Sequence, residues 1–258
     1  MPEPGAPKIR IRGLRKSFGR KLVLDGLDLE VAAGESVVII GGSGSGKSVL
    51  LKHVIGLLFP DAGTVEVDGM QPARLGNREI TEFRRKFGMS FQEGALFDSM
   101  TVRQNVAFPL QRLTTLTRAQ IQERVKACLE MVHLEGDAAD KMPAQLSGGM
   151  RRRVGFARAI AHEPEILLFD EPTTGLDPVT TAVVGDVIAE IREKTRATTL
   201  TISHDLQSAF KIGDRIAMLH GGKIIAAAPP REFQHLSDPR VQQFLRGSAE
   251  GPLTEAAG

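Results

Sequence analysis

The fold is decided by an apolar run and the glycine-rich segment that follows it. The run is Ser36-Val37-Val38-Ile39-Ile40, and the segment is Gly41-Gly42-Ser43-Gly44-Ser45-Gly46-Lys47-Ser48. A short continuous apolar run is typical of a strand buried on both faces, and a helix is predicted from Lys47 to Leu58. Glycines let backbone N–H groups converge on phosphate oxygens, and the helix N-terminus adds a favourable dipole. The spacing predicts a nucleotide-phosphate loop in an α/β fold, and a flexible glycine–serine turn is the alternative.

Two side chains of this loop and two later acids suggest where the chemistry occurs. Lys47 is expected to reach the β- and γ-phosphates, and the Ser48 hydroxyl to ligate Mg²⁺. Asp170 and Glu171 end the apolar run Ile166–Phe169, at the strand edge where doubly wound sheets hold ligands. Asp170 is predicted to hold Mg²⁺ through water, and Glu171 to act as general base on the attacking water. The alternative is an acidic pair that only opens a solvated loop.

A third segment, Leu146–Met150 (LSGGM), precedes a helical pattern. Ser147 and Gly149 would lie at a helix N-terminus, which makes a second anion site in the same chain. Two phosphate-binding helix starts with one magnesium ligand set and one water-activating acid indicate sites shared between two subunits. Read alone, the segment could be an ordinary loop in which Ser147 is an N-cap.

Length and composition exclude several classes of protein. The 258 residues are enough for one large α/β domain or two small ones, and either has an ample core. Lysine plus arginine total 33 against 31 acids, so no bulk field recruits nucleic acid or a membrane surface. The single Cys128 lies on an apolar helical stripe and favours a reducing compartment. No apolar run approaches the ~18 residues of a membrane helix, so we expect a cytoplasmic protein whose membrane role comes through a partner.

Strands and helices alternate along the chain. Alternating apolar and polar residues predict antiparallel strands over Lys8–Leu14 and Leu22–Val31. Further strands are predicted at Thr64–Val67, Phe87–Phe91, Ile166–Phe169, Thr198–Ile202, Arg215–Leu219 and Lys223–Ala227, and the clearest helices at Arg118–His133 and Gly149–His162. We expect one domain over 1–246, with a core at 8–92 and 163–228 and a helical insertion at about 93–162. The small, polar tail 247–258 is predicted to be disordered.

The order of these motifs resembles the nucleotide-binding domain of ABC transporters over roughly Ile9 to Leu245. The matching features are the Walker A loop Gly41–Ser48, the Q-loop Gln92, the signature Leu146–Met150, Walker B at Ile166–Glu171, the D-loop Gly175–Pro178, the switch His204 and an adenine-stacking Phe18. The resemblance implies a P-loop NTPase (RecA-like) core, an antiparallel β subdomain and an inserted α-helical subdomain. Taken singly, Phe18 could be a core residue, Gln92 a surface amide and His204 a helix cap.

The resemblance also implies a mechanism. Two copies would face head to tail and enclose two ATP molecules, each bound by the Walker A loop of one copy and by Ser147 and Gly149 of the other. Glu171 would activate water and His204 would hold the γ-phosphate. Gln92 would link Mg²⁺ to the transmembrane partner, and Asp177 would communicate across the dimer.

Further segments suggest a branch of this family. They are Phe91–Met100, Asn105–Leu110, Met150 and Asp238–Leu245, and they are similar to the ATPase subunit of Mla/Mce-type lipid transporters. That branch implies a permease, an Mce-domain substrate-binding protein, lipid cargo and a place on the cytoplasmic face of the inner membrane. Another ABC importer or exporter and an ABC-type cell-division regulator remain alternatives. DNA-repair types are excluded because the interval from Gln92 to Leu146 is too short for a long coiled coil, and it lacks heptads. Translation types are excluded because they need two cassettes in one chain, and this sequence contains one set of motifs.

One charged run has no role in this scheme. Arg151, Arg152 and Arg153 follow the signature directly, where positive charge opposes the helix dipole. We expect the triple to be a solvated face. Contact with ATP across the dimer or with a partner is the alternative.

Overall fold

A computed structural model describes residues 7–92 and 94–255. The first residues of the expected 1–246 domain, the starting point of the helical insertion at 93 and the last three residues of the tail lie outside this part of the chain.

Two sheets form the scaffold of the described chain. The larger has the strand order β5-β6-β7-β3-β8-β9, parallel except for the antiparallel pair β8–β9, and the smaller is antiparallel with the order β2-β1-β4. The strands are β1 Ile9–Phe18, β2 Lys21–Val31, β3 Ser36–Ile40, β4 Ala62–Val67, β5 Phe87–Ser90, β6 Ile166–Asp170, β7 Thr198–Ile202, β8 Arg215–His220 and β9 Lys223–Ala228. The predicted α/β class, with an antiparallel part beside a parallel core, is confirmed.

Most of the helices lie between strands of the larger sheet. They are α1 Lys47–Val54, α2 Asn77–Arg85, α3 Val102–Leu113, α4 Arg118–Met131, α5 Gly148–Ile160, α6 Pro178–Thr195, α7 Leu206–Ile212, α8 Pro230–Phe233, α9 Pro239–Arg246 and α10 Pro252–Glu255. Helices α3, α4 and α5 fall between β5 and β6, and α3 and α4 begin with capping boxes in which Thr101 and Thr117 accept from an amide in the first turn. Within the described residues, no helix combines the length and apolarity needed to cross a bilayer.

The larger sheet is covered on both faces, which explains its continuous apolar strands. Along β3, Val37 and Ile39 pack with α1 and the antiparallel sheet, whereas Val38 and Ile40 pack with the helices on the opposite face. The alternation in β6 is the same, with Leu168 on the first face and Phe169 on the second. Both faces of the sheet are therefore covered by apolar packing. The carboxyl ends of its strands are not covered in this way, and the candidate site lies there.

Two expectations about segment ends are wrong. Helix α1 stops at Val54 instead of Leu58, because Gly56 adopts φ +70° and the amides of Leu57 and Leu58 both donate to the Lys52 carbonyl. The described part of the tail, 247–255, is also ordered.

A buried amide side chain joins the tail to α9. The Gln243 side chain is 6% exposed, accepts from the Leu253 amide (2.7 Å) and donates to the Ser248 carbonyl (3.2 Å). Leu253 packs against the main apolar cluster. The small, polar composition that predicted disorder contains no sign of these long-range bonds.

Candidate active site

The glycine loop joins the carboxyl end of β3 to the first residue of α1. Lys47 is buried, and its Nζ donates to the carbonyl oxygens of Gly41 (2.9 Å) and Gly42 (3.0 Å). A Cβ on Gly41, which has φ +153°, would lie 2.3 Å from the carbonyl oxygen of Leu219, so only glycine fits. Within residues 7–92 and 94–255, the buried Ser45 hydroxyl has no hydrogen-bond partner. An unsatisfied buried hydroxyl is costly, and a phosphate oxygen would satisfy it.

The loop meets the acidic end of β6. The Ser48 hydroxyl donates to Asp170 Oδ1 at 3.1 Å. Burial, together with the neighbouring Glu171 carboxylate, raises the pKa of Asp170, against the opposing effect of the Ser48 hydrogen bond. A partly buried carboxylate beside a second carboxylate and a hydroxyl offers the oxygen ligands that hard divalent cations prefer.

Glu171 stands at the centre of a polar cluster. Its backbone has φ +52°, a conformation that non-glycine residues rarely adopt, and its amide donates to the Ile202 carbonyl (3.0 Å). Its Oε2 lies 2.6 Å from His204 Nδ1 and accepts from the Thr174 hydroxyl at 2.9 Å, while Oε1 lies 3.7 Å from Lys47 Nζ. The three residues predicted to be catalytic are therefore in one cluster.

A cavity of about 1290 Å³ adjoins this cluster. It is lined by the whole glycine loop, Phe18, Gln92, Glu171 and His204. Phe18 is 48% exposed, and Lys16 Nζ lies 5.8 Å from its ring centroid. The volume exceeds the ~300–1,000 Å³ of typical small-molecule pockets. The cavity is therefore an open cleft that is large enough for a nucleotide.

The other predicted residues lie on a different surface. Ser147 caps α5 by accepting from the Met150 amide (3.2 Å), and Asp177 caps α6 by accepting from the Thr180 amide (3.0 Å). The Thr180 hydrogen bonds hold the pKa of Asp177 below its usual value. A Cβ on Gly149 would lie 2.4 Å from Thr180 Cγ2, so the two helix starts touch. None of Ser147, Gly149 and Asp177 is among the residues that line the cavity.

The prediction that Arg151, Arg152 and Arg153 form a solvated face is wrong for one of the three. Arg152 is only 7% exposed, and it donates from Nε to the Gln92 carbonyl (2.8 Å) and from Nη2 to the Thr174 carbonyl. The expected solvated face is therefore wrong for Arg152. Its position four residues before the buried Phe156, on the same face of α5, is the sequence signal that could have shown this.

Sequence reasoning also missed one wall of the cavity. The segment Gln243–Ser248, at the end of α9, also lines it, together with Leu253 and Thr254. The sequence holds no motif for such a wall, because the Gln243 side chain joins α9 to the tail through hydrogen bonds with backbone groups.

A phosphate loop, an acidic strand end and a histidine around one cleft define the class of P-loop nucleoside-triphosphate hydrolases. Residues 24–174 match the family model "ABC transporter". The chain therefore belongs to the ABC transporter family, it is the ATP-binding ATPase subunit, and the resemblance inferred from motif order is confirmed.

Individual relatives support this assignment. The chain is 40% identical to the "Intermembrane phospholipid transport system ATP-binding protein MlaF" of Haemophilus influenzae, over 95% of this chain and 92% of the relative. It is also 40% identical to the "Probable ribonucleotide transport ATP-binding protein mkl" of Mycobacterium leprae, over 97% of this chain and 72% of the relative. The dimeric ADP- and phosphate-bound ATP-binding cassette MJ0796 aligns with TM-score 0.79 at 33% identity, covering 86% of this chain and 99% of that one.

The raised pKa of Asp170 gives a test of the site. Because the folded state binds this proton more tightly than the unfolded state does, stability falls as the pH rises above 3.8, and the loss persists at neutral pH. Asp170→Asn without Mg²⁺ should raise Tm at pH 7, because the neutral amide avoids the cost of burying the charge. The gain should shrink towards about pH 4, and Mg²⁺-dependent ATPase should be lost.

The control is the exposed Asp137→Asn, which should change neither Tm nor activity. Calorimetry and a phosphate-release assay measure both effects. A lower Tm for Asp170→Asn at pH 7 would contradict the assigned cost of this charge.

Proposed function

We propose that this chain drives the transport of phospholipids between envelope membranes through a separate permease, from the cytoplasmic face of the inner membrane. The observation that carries the cargo is the 40% identity, across 92% of its length, to a relative whose name specifies phospholipid transport. The name of the mycobacterial relative supports ribonucleotides as the second candidate. An Mce-domain substrate-binding protein is the further partner that the lipid branch implies.

The site supports distinct roles for its residues. Lys47 exchanges the carbonyls of Gly41 and Gly42 for the β- and γ-phosphates, and the unpartnered Ser45 hydroxyl takes a phosphate oxygen. Glu171 accepts a proton from the attacking water, because its carboxylate is held at the cleft by Thr174 and His204.

The remaining contacts of the nucleotide follow from the lining of the cleft. His204 pairs with Glu171 through Nδ1, so its Nε2 is the ring nitrogen that contacts the γ-phosphate. The exposed ring of Phe18 stacks on the adenine. Mg²⁺ held by Ser48, Asp170 and Gln92 would neutralise phosphate charge.

The second half of the site comes from another copy of the chain. Ser147 and Gly149, at the start of α5, and Asp177, at the start of α6, share a surface outside the cavity. Two copies facing head to tail place this surface against the partner's nucleotide, and the symmetry makes both sites equivalent.

The permease would contact the segment around Phe97. This ring is 42% exposed, packs 4.8 Å from the Phe108 ring and carries Arg158 at 5.6 Å from its centroid. An aromatic pair with one exposed ring and a guanidinium against each ring is typical of interface anchors, and Phe97 lies a few residues from Gln92 at the cleft.

Removing the general base should separate binding from hydrolysis. Glu171→Gln keeps the shape and hydrogen bonding of the side chain but cannot accept the proton, so hydrolysis should fall by about 10²–10³-fold. ATP affinity should stay within about threefold. The control is the exposed Glu130→Gln. Turnover and ATP binding of the purified chain are measured, and near-normal turnover by Glu171→Gln would disprove the assignment.

The shared site should be separable from ATP binding. In the Glu171→Gln background, ATP should produce a dimer in light scattering. Ser147→Phe should abolish that dimer while leaving ATP affinity within about threefold. The reason is that, of the two nucleotides, Ser147 would contact the one bound by the partner copy and not the one bound by its own chain. Thr117→Phe is the matched control, since Thr117 caps α4 as Ser147 caps α5. A dimer that survives Ser147→Phe, or lost ATP affinity, would contradict the composite site.

Cargo is tested on the complex that co-purifies with the chain. After reconstitution in vesicles with a fluorescent phospholipid inside the bilayer and a labelled ribonucleotide outside, we expect ATP-dependent phospholipid movement that the Glu171→Gln complex lacks. Ribonucleotide uptake without phospholipid movement would overturn the lipid proposal. Co-purification of a division protein in place of a permease and an Mce-domain protein would overturn it as well.

A further inference from the structure

The buried guanidinium of Arg152 joins three parts of the chain that are far apart in sequence. Arg152 belongs to α5, and it donates from Nε to the Gln92 carbonyl at 2.8 Å and from Nη2 to the Thr174 carbonyl. One carbonyl belongs to the segment after β5, and the other to the loop after β6. Because a guanidinium is planar and its donors have fixed directions, the two carbonyls cannot move independently while both bonds hold.

One end of this bridge leads to Glu171. The side chain of Thr174, whose carbonyl Arg152 holds, donates from its hydroxyl to Glu171 Oε2 at 2.9 Å. The same oxygen lies 2.6 Å from His204 Nδ1. A displacement of the Thr174 main chain therefore changes the support of Glu171, which already has the rare φ of +52°.

The other end leads to the segment after β5, at Gln92, Gly94 and Ala95. Helix α5 holds this segment again through Arg158, which donates to the carbonyls of Gly94 (2.7 Å) and Ala95 (2.9 Å). The contact is close, since a Cβ on Gly155 would lie 3.0 Å from Gly94 Cα. Movement of α5 or of this segment is thus transmitted to Arg152.

We propose that Arg152 is a positioning residue that links the backbone of Gln92 and helix α5 to the Glu171–His204 pair, so that the rate of hydrolysis follows the position of Gln92. The inference rests on the proposed role of Glu171 as general base. Burial makes loss of the guanidinium bonds costly, so the bridge moves as a unit. Arg152 itself has no contact with substrate in this scheme; it acts through Thr174.

The matched control is the next residue. Arg153 is on the same helix with the same charge, but its Nη1 donates to the carbonyls of His133 (2.7 Å) and Val132 (3.3 Å), within the helical insertion. Loss of Arg153 therefore weakens the helical insertion without cutting the bridge to Thr174.

The test compares kcat and KM for ATP hydrolysis by the full chain in its membrane complex. Arg152→Gln should lower kcat by about tenfold while KM for ATP stays within about twofold, whereas Arg153→Gln should change kcat by less than about twofold. Arg152→Lys should not restore kcat, because one ammonium cannot hold both carbonyls in the geometry of the fork.

Thr174→Val supplies a readout that a purely structural role would not move. If Arg152 acts through Thr174, the kcat losses of Arg152→Gln and Thr174→Val should be strongly non-additive, with the double variant about as slow as either single variant. Additive losses, a kcat for Arg152→Gln near normal, or equal losses for Arg152→Gln and Arg153→Gln would each overturn the proposal.

Two further variants keep the outcome decisive. If Arg152→Gln does not fold, as judged by its melting curve, Arg152→Lys takes its place in the same cycle, and a normal kcat for the lysine variant counts against the bridge. Glu171→Gln is measured in parallel. Normal turnover by Glu171→Gln overturns the assignment of the base, whereas an inactive Glu171→Gln with a normal Arg152→Gln overturns only the link.

Discussion

Parallel pairing of β6, β7 and β3 is the constraint on which the site depends. In this register Ile202 lies beside Asp170 on one side and beside Ile39 on the other. The glycine loop, the acidic pair and the switch histidine all begin within two residues of these paired positions. A slip of β6 by one residue would turn Asp170 to the opposite face of the sheet. The apolar residues that alternate between the two cores prevent that slip, so packing far from the cleft fixes the distance between Ser48 and Asp170.

The same geometry places charged side chains where their burial lowers the stability of the fold. Lys47, Asp170 and Glu171 crowd the edge of the sheet, and burial raises the pKa of Asp170. A nucleotide with its cation would bring charges of both signs to this cluster, and a ligand that binds only the folded state stabilises it. The chain as a whole has a formal net charge of only +2. The electrostatic contribution to binding therefore comes from the positions of a few charged groups in the site, and the total charge of the chain contributes little.

Much of this could be predicted from local patterns. The strands Ser36–Ile40 and Thr198–Ile202 are read from the sequence with their correct bounds, because the first is largely a continuous apolar run and the second is rich in β-branched residues. The clustering of Phe18, Gln92, Glu171 and His204 around the glycine loop could be expected only from the resemblance. Their separation in sequence is too large for any local pattern to relate them.

The failures at Arg152 and at the tail share one physical cause. Arg152 bonds to backbone carbonyls, and the Gln243 side chain to a backbone amide and a backbone carbonyl, far along the chain or beyond a turn. Every residue presents an amide or a carbonyl group, so the identity of the partner leaves no trace in the sequence. Charge next to Met150 and small residues after Arg246 thus suggested a solvated face and a disordered tail. Helix spacing was the better guide for Arg152, since its position on α5 aligns with Phe156.

The relatives show why catalysis can be assigned more firmly than cargo. Two proteins that are each 40% identical to this chain have names that specify different cargoes, phospholipid and ribonucleotide. In the proposed scheme the residues around the cleft contact phosphates, adenine and water, none of which differs between transporters. Whatever distinguishes the cargo must act through surfaces outside the cleft. In this chain the exposed Phe97, which packs on Phe108, is the surface proposed for the permease, and the proposed bridge through Arg152 would connect that side of the chain to Glu171.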